Sequence, residues 1–469
     1  MTKPGAAPVV LGVDIGTTAI KLVALDSQTR ALLHDSDRPH HASQGQARQD
    51  CTWREDANCL YVTTTELLAE LPADVRARIT HMALTGQMHG AMASHWTNGT
   101  CDRATACLTW QDKRWSEDEM DRLTALAKQF GVSPIHHGYG LSSLLWLQNK
   151  GDLTAEPGWH LHSALEYVAA RLSHSSPESM APSIAFSLGG AVMPGGTEFD
   201  PNFAQALGLE PSLIAALPQI VPPGCLWPSP VHDTEAERLG LPKGITVSVP
   251  EGDNQMQVFA IAQAAEIAPS AYRHTAMLNL GTSCQLTQIV ADAELATLQP
   301  LSPMVEIRPY TANHHLLTVA SLNGGNLLHR WASTLARTPE EESATFARWE
   351  TQAFCGSKPF SLDYRMFGER GQKDVTFRLE GVPAHVDEVA HQLMFELLSA
   401  IKHQAVGSGL VSEHIERLVL TGGASAFPFV RDVCKLLFPA AQVEVLSHGH
   451  GPAMGAALRN ILAEPNASE

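Results

Sequence analysis

The chain has 469 residues, 44% of them hydrophobic, enough for two or three globular domains. Its 49 acidic side chains outnumber 32 basic ones for a net charge of −17, which disfavours nucleic acid and anionic membrane surfaces as partners. No apolar run reaches the roughly 18 residues of a membrane span, and the N-terminal residues carry no apolar signal core. The 8 cysteines are scattered without a Cys-x-x-Cys pair, the usage of free thiols in a reducing compartment, so a cytoplasmic protein is expected.

Strand-like and helix-like segments alternate along the chain, which predicts an α/β fold. Val9–Val13 reads as a strand ending in Asp14-Ile15-Gly16-Thr17-Thr18, and Ile20–Leu25 as the second arm of a hairpin. Asn58–Leu71 has a helical pattern, and His81–Thr85 is a strand running into Gly86. Residues 174–200, rich in Ser, Pro and Gly, read as an irregular loop region. Ile245–Val249 is a buried strand leading into Glu251-Gly252-Asp253-Asn254, followed by a helix over Gln255–Ala265.

A second hairpin then appears, with arms Ala276–Leu280 and Gln285–Val290 around Gly281-Thr282-Ser283. It repeats the design of the first, as an internal duplication would. Arg417–Leu420 is a strand ending in Thr421-Gly422-Gly423-Ala424-Ser425, with a helix from near Pro428. Gly451–Ala457 is a helix of small residues that permits close backbone approach. The expected organisation is a first domain over 1–254, a second over 255–462 and a frayed tail over 463–469.

Nucleotide chemistry needs backbone N–H groups aimed at phosphate, hydroxyls to complete the cradle, and a carboxylate for Mg²⁺. The turn from Asp14 through Gly16, Thr17 and Thr18 supplies all three, with Lys21 close by to offset phosphate charge. Gly281-Thr282-Ser283 offers the same donors without the carboxylate. Such a turn alone is more often an ordinary hairpin turn; the pair together with the Gly422-Gly423-Ala424-Ser425 loop reverses that preference and points to a nucleotide. No G-x-x-x-x-G-K-[ST] run exists, which excludes a P-loop enzyme. The 22 histidines lack the helical or Cys-paired spacing of a zinc site and read as surface or supporting side chains.

Val13-Asp14-Ile15-Gly16-Thr17-Thr18-Ala19-Ile20-Lys21 resembles the opening motif of the FGGY-type carbohydrate kinases. Leu420-Thr421-Gly422-Gly423-Ala424-Ser425 resembles their adenosine motif, and Glu251-Gly252-Asp253 the segment holding their catalytic base. The matches run in family order over nearly the whole chain. The resemblance implies two ribonuclease-H-like domains of the actin and hexokinase type, an interdomain active-site cleft, and phosphoryl transfer from ATP to a sugar hydroxyl with Mg²⁺. Carried onto this sequence, it implies Asp253 as general base and Asp14 as the Mg²⁺ residue, through water. Gly16, Thr17, Thr18, Lys21, Gly281 and Thr282 fall on the phosphates, and Gly325, Asn326, Gly423 and Ala424 on the adenine and ribose side.

Thr85-Gly86-Gln87-Met88-His89-Gly90 resembles the sugar segment of the family's pentulose and heptulose kinases, and Thr109-Trp110-Gln111-Asp112 adds an aromatic platform and a carboxylate. The implied sugar contacts are Gln87, Met88, His89, Trp110, Asp112, Asp253 and Asn254, with core packing the alternative for Trp110. Ser321-Leu322-Asn323-Gly324-Gly325-Asn326 and Phe367-Gly368-Glu369-Arg370 favour the seven-carbon ketose, sedoheptulose, over xylulose. Three positions depart from the family pattern: Pro182 where an Asp is usual, Gly371-Gln372 where Thr-Pro is usual, and Cys284 after the second phosphate turn. A non-enzymatic actin-like nucleotide switch or sugar sensor is the other reading, and Gly252-Asp253 counts against it. The small-molecule partners are then ATP and a ketose, with a monomer or homodimer both compatible.

Overall fold

The protein is described here by a computed structural model covering residues 7–42, 53–295, 297–298, 305–354, 356, 360–365, 376–407, 415–446 and 451–463. The Phe367–Arg370 segment, Gly371-Gln372 and the tail 464–469 lie outside the described residues. The chain divides into two compact units. One comprises Met1–Ala260, Pro309–Ala312 and His450–Glu469; the other comprises Ile261–Arg308 and Asn313–Gly449.

The first unit is organised by a mixed sheet with strand order Thr246–Val247, Ile79–Gly86, Val9–Ile15, Ala19–Asp26, Leu32–Pro39, with Glu251–Gly252 also pairing with Ile79–Gly86. Val9–Ile15 is buried at every position, as expected of a central strand covered on both faces. It pairs antiparallel with Ala19–Asp26 and parallel with Ile79–Gly86. The helix Ala57–Glu70 starts where the Asp56 side chain accepts from Asn58 N–H. The C-terminal helix Gly451–Ala463 lays Ala453 and Ala457 against Val10, Val23 and Leu25.

In the second unit the strand order is Val305–Thr311, His314–Ser321, Cys284–Ala291, Thr275–Leu280, Arg417–Thr421, Gln442–Val445. Here too a central strand, Thr275–Leu280, pairs antiparallel with the strand after it and parallel with a later one, Arg417–Thr421. The hairpin-plus-parallel-strand plan therefore occurs once in each unit. The helix Pro428–Leu437 buries Phe429, Val430, Val433 and Cys434, the stripe its 3.6-residue period dictates. Both units are mixed α/β.

One expectation is corrected. The stretch 174–200 is not irregular throughout: Pro182–Leu188 is a helix with every residue buried. Pro182 sits in its first turn, where a fixed φ favours the helix and no N–H is lost from the ladder. The Ser, Pro and Gly around it had read as loop signals because the burial that stabilises the helix is not visible locally.

Candidate active site

Three parallel strands of the first unit end side by side. Asp14 is level with Thr85, and Thr85 with Glu251; one residue on, Ile15 is level with Gly86, and Gly86 with Gly252. The residues that leave these strand ends are therefore neighbours: Gly16-Thr17-Thr18 from the first, Gln87 from the second, Asp253 from the third. Carboxyl ends of parallel strands are where α/β sheets place their ligands. Asp253 opens the helix Asp253–Ala264, and its Oδ1 accepts from Asn254 N–H at 2.7 Å. The Ser183 hydroxyl accepts from Gly252 N–H at 3.0 Å, so the helix that begins at Pro182 anchors the peptide just before Asp253.

Asp14 is 7% exposed, and burial with the neighbouring charge of Asp253 pushes its carboxyl up to about 7, with Lys21 opposing. A buried carboxylate with a second carboxylate beside it suits a divalent cation, whose charge removes the repulsion. Among the described residues no group of three or more His, Cys, Asp and Glu is assembled to hold a metal ion by itself. The raised value has a consequence for stability. Between about pH 4 and pH 7 the folded protein keeps a proton on Asp14 that the unfolded chain releases, so this group's contribution falls as pH rises and is lost above 7. Without divalent cations, urea unfolding at pH 5 and pH 8 should show Asp14→Asn gaining stability relative to the wild type at the higher pH; a constant difference would refute this.

The phosphate-type turn is supported from below by His40. Burial holds its ring below the ordinary value, so it is neutral. Nε2–H donates to Gly16 O at 2.9 Å and Nδ1 accepts from Ala42 N–H at 3.3 Å.

A directed chain of hydrogen bonds runs along the sugar-type residues. Trp110 Nε1–H donates to Thr17 Oγ1 (3.2 Å), Thr17 O–H donates to Gln87 Oε1 (3.4 Å), and Gln87 Nε2 donates to Glu55 Oε2 (2.5 Å). The indole nitrogen can only donate, and because the Gln87 amide nitrogen is spent on Glu55, the amide oxygen faces Thr17 and takes its proton. The Thr17 proton is thereby committed to Gln87, and Gly16 N–H is used within the turn, where it donates to Ala19 O at 3.1 Å. Trp110 is 38% exposed, so core packing is not its role. Gly138, at φ +73°, lies so close beneath it that a Cβ there would stand 2.2 Å from Trp110 O.

The remaining residues expected on the sugar are placed as follows. Met88 is 5% exposed and packs against Gly252. His89 takes φ +74°, a costly conformation for a ring-bearing residue, and its ring lies tilted by 31° against Tyr139 with centroids 4.1 Å apart. Asn254 is buried beside Asp253. Asp112 is 3% exposed with both oxygens occupied: Arg114 Nε on Oδ1 at 2.7 Å, and Arg114 Nη2 (2.5 Å) and Trp53 N–H (2.9 Å) on Oδ2. It ties residue 53 to the Trp110 loop. Glu55 escaped the sequence reading; the available signal was a carboxylate between Trp53 and the helix start at Asp56.

In the second unit three turns meet. Gly325 N–H donates to Gly281 O at 2.7 Å and Asn326 N–H to Thr282 O at 3.3 Å, which docks the start of the helix Gly325–Leu335 on the hairpin turn. Gly422 packs against Leu280 and Gly281, and Gly325 faces Ala424. The Asn326 amide is used internally, accepting from Gly324 N–H (2.7 Å) and donating to Leu322 O (2.9 Å), so it staples the loop. Thr282 and Gly423 are exposed, and a Cβ on Gly423 would meet nothing within 4 Å. The surface there is open, bounded by glycine, alanine and backbone donors.

A two-unit mixed α/β fold, a carboxylate-bearing Gly-Thr-Thr turn and a Gly-Asp at a neighbouring strand end define a sugar kinase. The N-terminal domain of the FGGY family of carbohydrate kinases matches residues 9–260, more than half of the chain, and the protein belongs to that family. It is similar to Homo sapiens sedoheptulokinase, 27% identical over 376 residues that cover 73% of each chain. Its fold is similar to a gluconate kinase from Lactobacillus acidophilus (TM-score 0.79, 19% identity, 98% of this chain and 90% of that one). It is also similar to a ligand-bound xylulose kinase from the same organism (TM-score 0.79, 20% identity, 98% and 90%). No helix among the described residues is long and apolar enough to cross a membrane.

Proposed function

We propose that the protein transfers the γ-phosphoryl group of ATP to a primary hydroxyl of a ketose, with sedoheptulose giving sedoheptulose 7-phosphate as the preferred reaction. The observation that carries this reading is the placement of Asp253 at the strand end beside the buried Asp14 and the Gly16-Thr17-Thr18 turn. Asp253 accepts the proton of the attacking hydroxyl, and the ketose oxygen then attacks phosphorus as the bond to the ADP oxygen breaks. Gln87, Met88, His89, Trp110 and Asn254 hold the ketose, the indole taking its C–H face. Asp112 acts through Arg114 and Trp53, positioning the loops that carry Trp110 and Glu55.

Gly16 lets the phosphates approach the turn, and donors of Thr17, Thr18 and Gly281-Thr282, with Lys21, hold them. Gly325, Gly423 and Ala424 border the adenine and ribose, with Asn326 shaping that loop. Asp14 would hold Mg²⁺ through water, and the cation when bound neutralises phosphate charge. Exclusion of water from the bound substrates keeps hydrolysis of ATP from competing.

The preference for the seven-carbon sugar rests on the likeness to sedoheptulokinase. A coupled ADP-release assay over sedoheptulose, xylulose, ribulose, gluconate and glycerol tests it. Sedoheptulose is expected to give the highest kcat/KM, at least tenfold above xylulose. Xylulose above sedoheptulose would make the protein a pentulose kinase, and no turnover on any sugar would overturn the ketose assignment.

A further inference from the structure

Glu55 stands outside every role assigned above, yet it is 1% exposed and closes the chain that begins at Trp110. It lies on the two-residue strand Arg54–Glu55, paired with Cys107–Leu108, with Glu55 opposite Cys107. The strand is held at one end by Trp53, whose N–H is bound by Asp112. Thr109 N–H donates to Trp53 O at 3.2 Å, so the strand and the Trp110 loop are locked together. Only Oε2 of Glu55 is satisfied; Oε1 is buried with no hydrogen-bond partner among the described residues. Such a group costs stability that a methionine of similar size would avoid, so packing alone does not account for it.

We propose that Glu55 is a positioning residue for the sugar: its buried carboxyl group holds the Gln87 amide, and through Thr17 the Trp110 indole, in the orientation that receives the ketose. This rests on the ketose-kinase reading for Gln87 and Trp110. Glu55 itself touches neither reacting oxygen nor phosphate; its effect is on the donor and acceptor directions of Gln87. With the carboxyl group absent, the amide is free to turn over, the Thr17 hydroxyl loses its acceptor, and Trp110 loses its anchor. Burial pushes the Glu55 carboxyl up to about 7, consistent with a group held in an apolar setting for one specific partner.

The test compares Glu55→Ala and Glu55→Gln with the wild type, on full-length protein, by steady-state kinetics in both substrates. Glu55→Ala should raise KM for the ketose about tenfold or more, with kcat and KM for ATP within about threefold. Glu55→Gln keeps an oxygen that accepts from Gln87 Nε2 and should recover most of that loss. A purely structural role would instead lower the active fraction and leave ketose KM unchanged, and that result overturns the proposal. Tryptophan emission of each variant, minus that of its Trp110→Phe counterpart, gives a readout without substrate. Glu55→Ala should shift the Trp110 component to longer wavelength, and an unshifted component overturns the proposal even where no sugar is turned over. Absence of turnover by the wild type on every sugar fails the ketose reading instead, so the two failures are distinguishable.

Discussion

Replacing Asp253 with Asn is expected to lower kcat by roughly three orders of magnitude while ATP and ketose still bind. The substitution keeps size and hydrogen-bonding capacity but removes the base, and positioned general bases contribute typically 10²–10⁴-fold. Asn254 N–H, which now donates to Asp253 Oδ1, can donate equally to the Asn side-chain oxygen, so the start of the Asp253–Ala264 helix should survive. The variant also removes the charge that, after burial, raises Asp14, so Asp14 should titrate lower than in the wild type. Steady-state kinetics with isothermal titration of both substrates checks the separation of turnover from binding. A kcat within tenfold of the wild type would remove Asp253 from the role of base.

The second large effect is structural. Gly12 lies in the middle of the Val9–Ile15 strand, and the C-terminal helix crosses it so closely that an added Cβ would stand 1.9 Å from Ala453 O. The atom it would strike is backbone, which cannot swing aside as a side chain can. Gly12→Val therefore has to displace the helix Gly451–Ala463 from Val10, Val23 and Leu25. The expected loss is about 3 kcal/mol or more, at the upper end of overpacking and enough to consume much of a domain's stability. Urea unfolding should show an early transition, and limited proteolysis should cut near the C-terminus under conditions that leave the wild type intact. An unchanged midpoint with an intact C-terminus would mean the helix has room to yield.

Because the same strand carries Asp14 two residues after Gly12, this packing also bears on the candidate site. A helix pressed on the strand limits how far Asp14 can move. Arg459 on that helix reaches Glu251 at 3.4 Å, two residues before Asp253, and Ala456 packs with Ala83, so the C-terminal helix touches all three strands that end at the site.

Local chemistry made the ends of the strands readable. Short apolar runs closed by Gly-Thr-Thr and Gly-Thr-Ser locate both hairpins within a residue or two, because a buried strand must be continuously apolar and a tight turn needs small, donor-rich residues. The small-residue helix over 451–457 was equally plain as a surface for close approach. Burial was not readable. Pro182–Leu188 carries loop-like neighbours, and its helix is stabilised by contacts to residues distant in sequence. Asp112 looked like a free carboxylate because nothing in the sequence shows that Arg114 and Trp53 occupy it.

The amino-acid sequence by itself determined the α/β class, the paired turns with their carboxylate, and membership of a kinase family, since each depends on residue types at short spacing. Only the tertiary structure decided which of those residues stand together. The level ends of three parallel strands bring Asp14, Gln87 and Asp253 into one neighbourhood from positions far apart in the chain. The hydrogen-bond chain from Trp110 to Glu55 likewise joins four segments, and the only local mark of Glu55 is a carboxylate just before a helix start, which does not reveal its partner Gln87. The physical reason is the same in both cases: turn chemistry is set by a few adjacent residues, whereas burial and hydrogen-bond direction are set by whatever the fold packs against them.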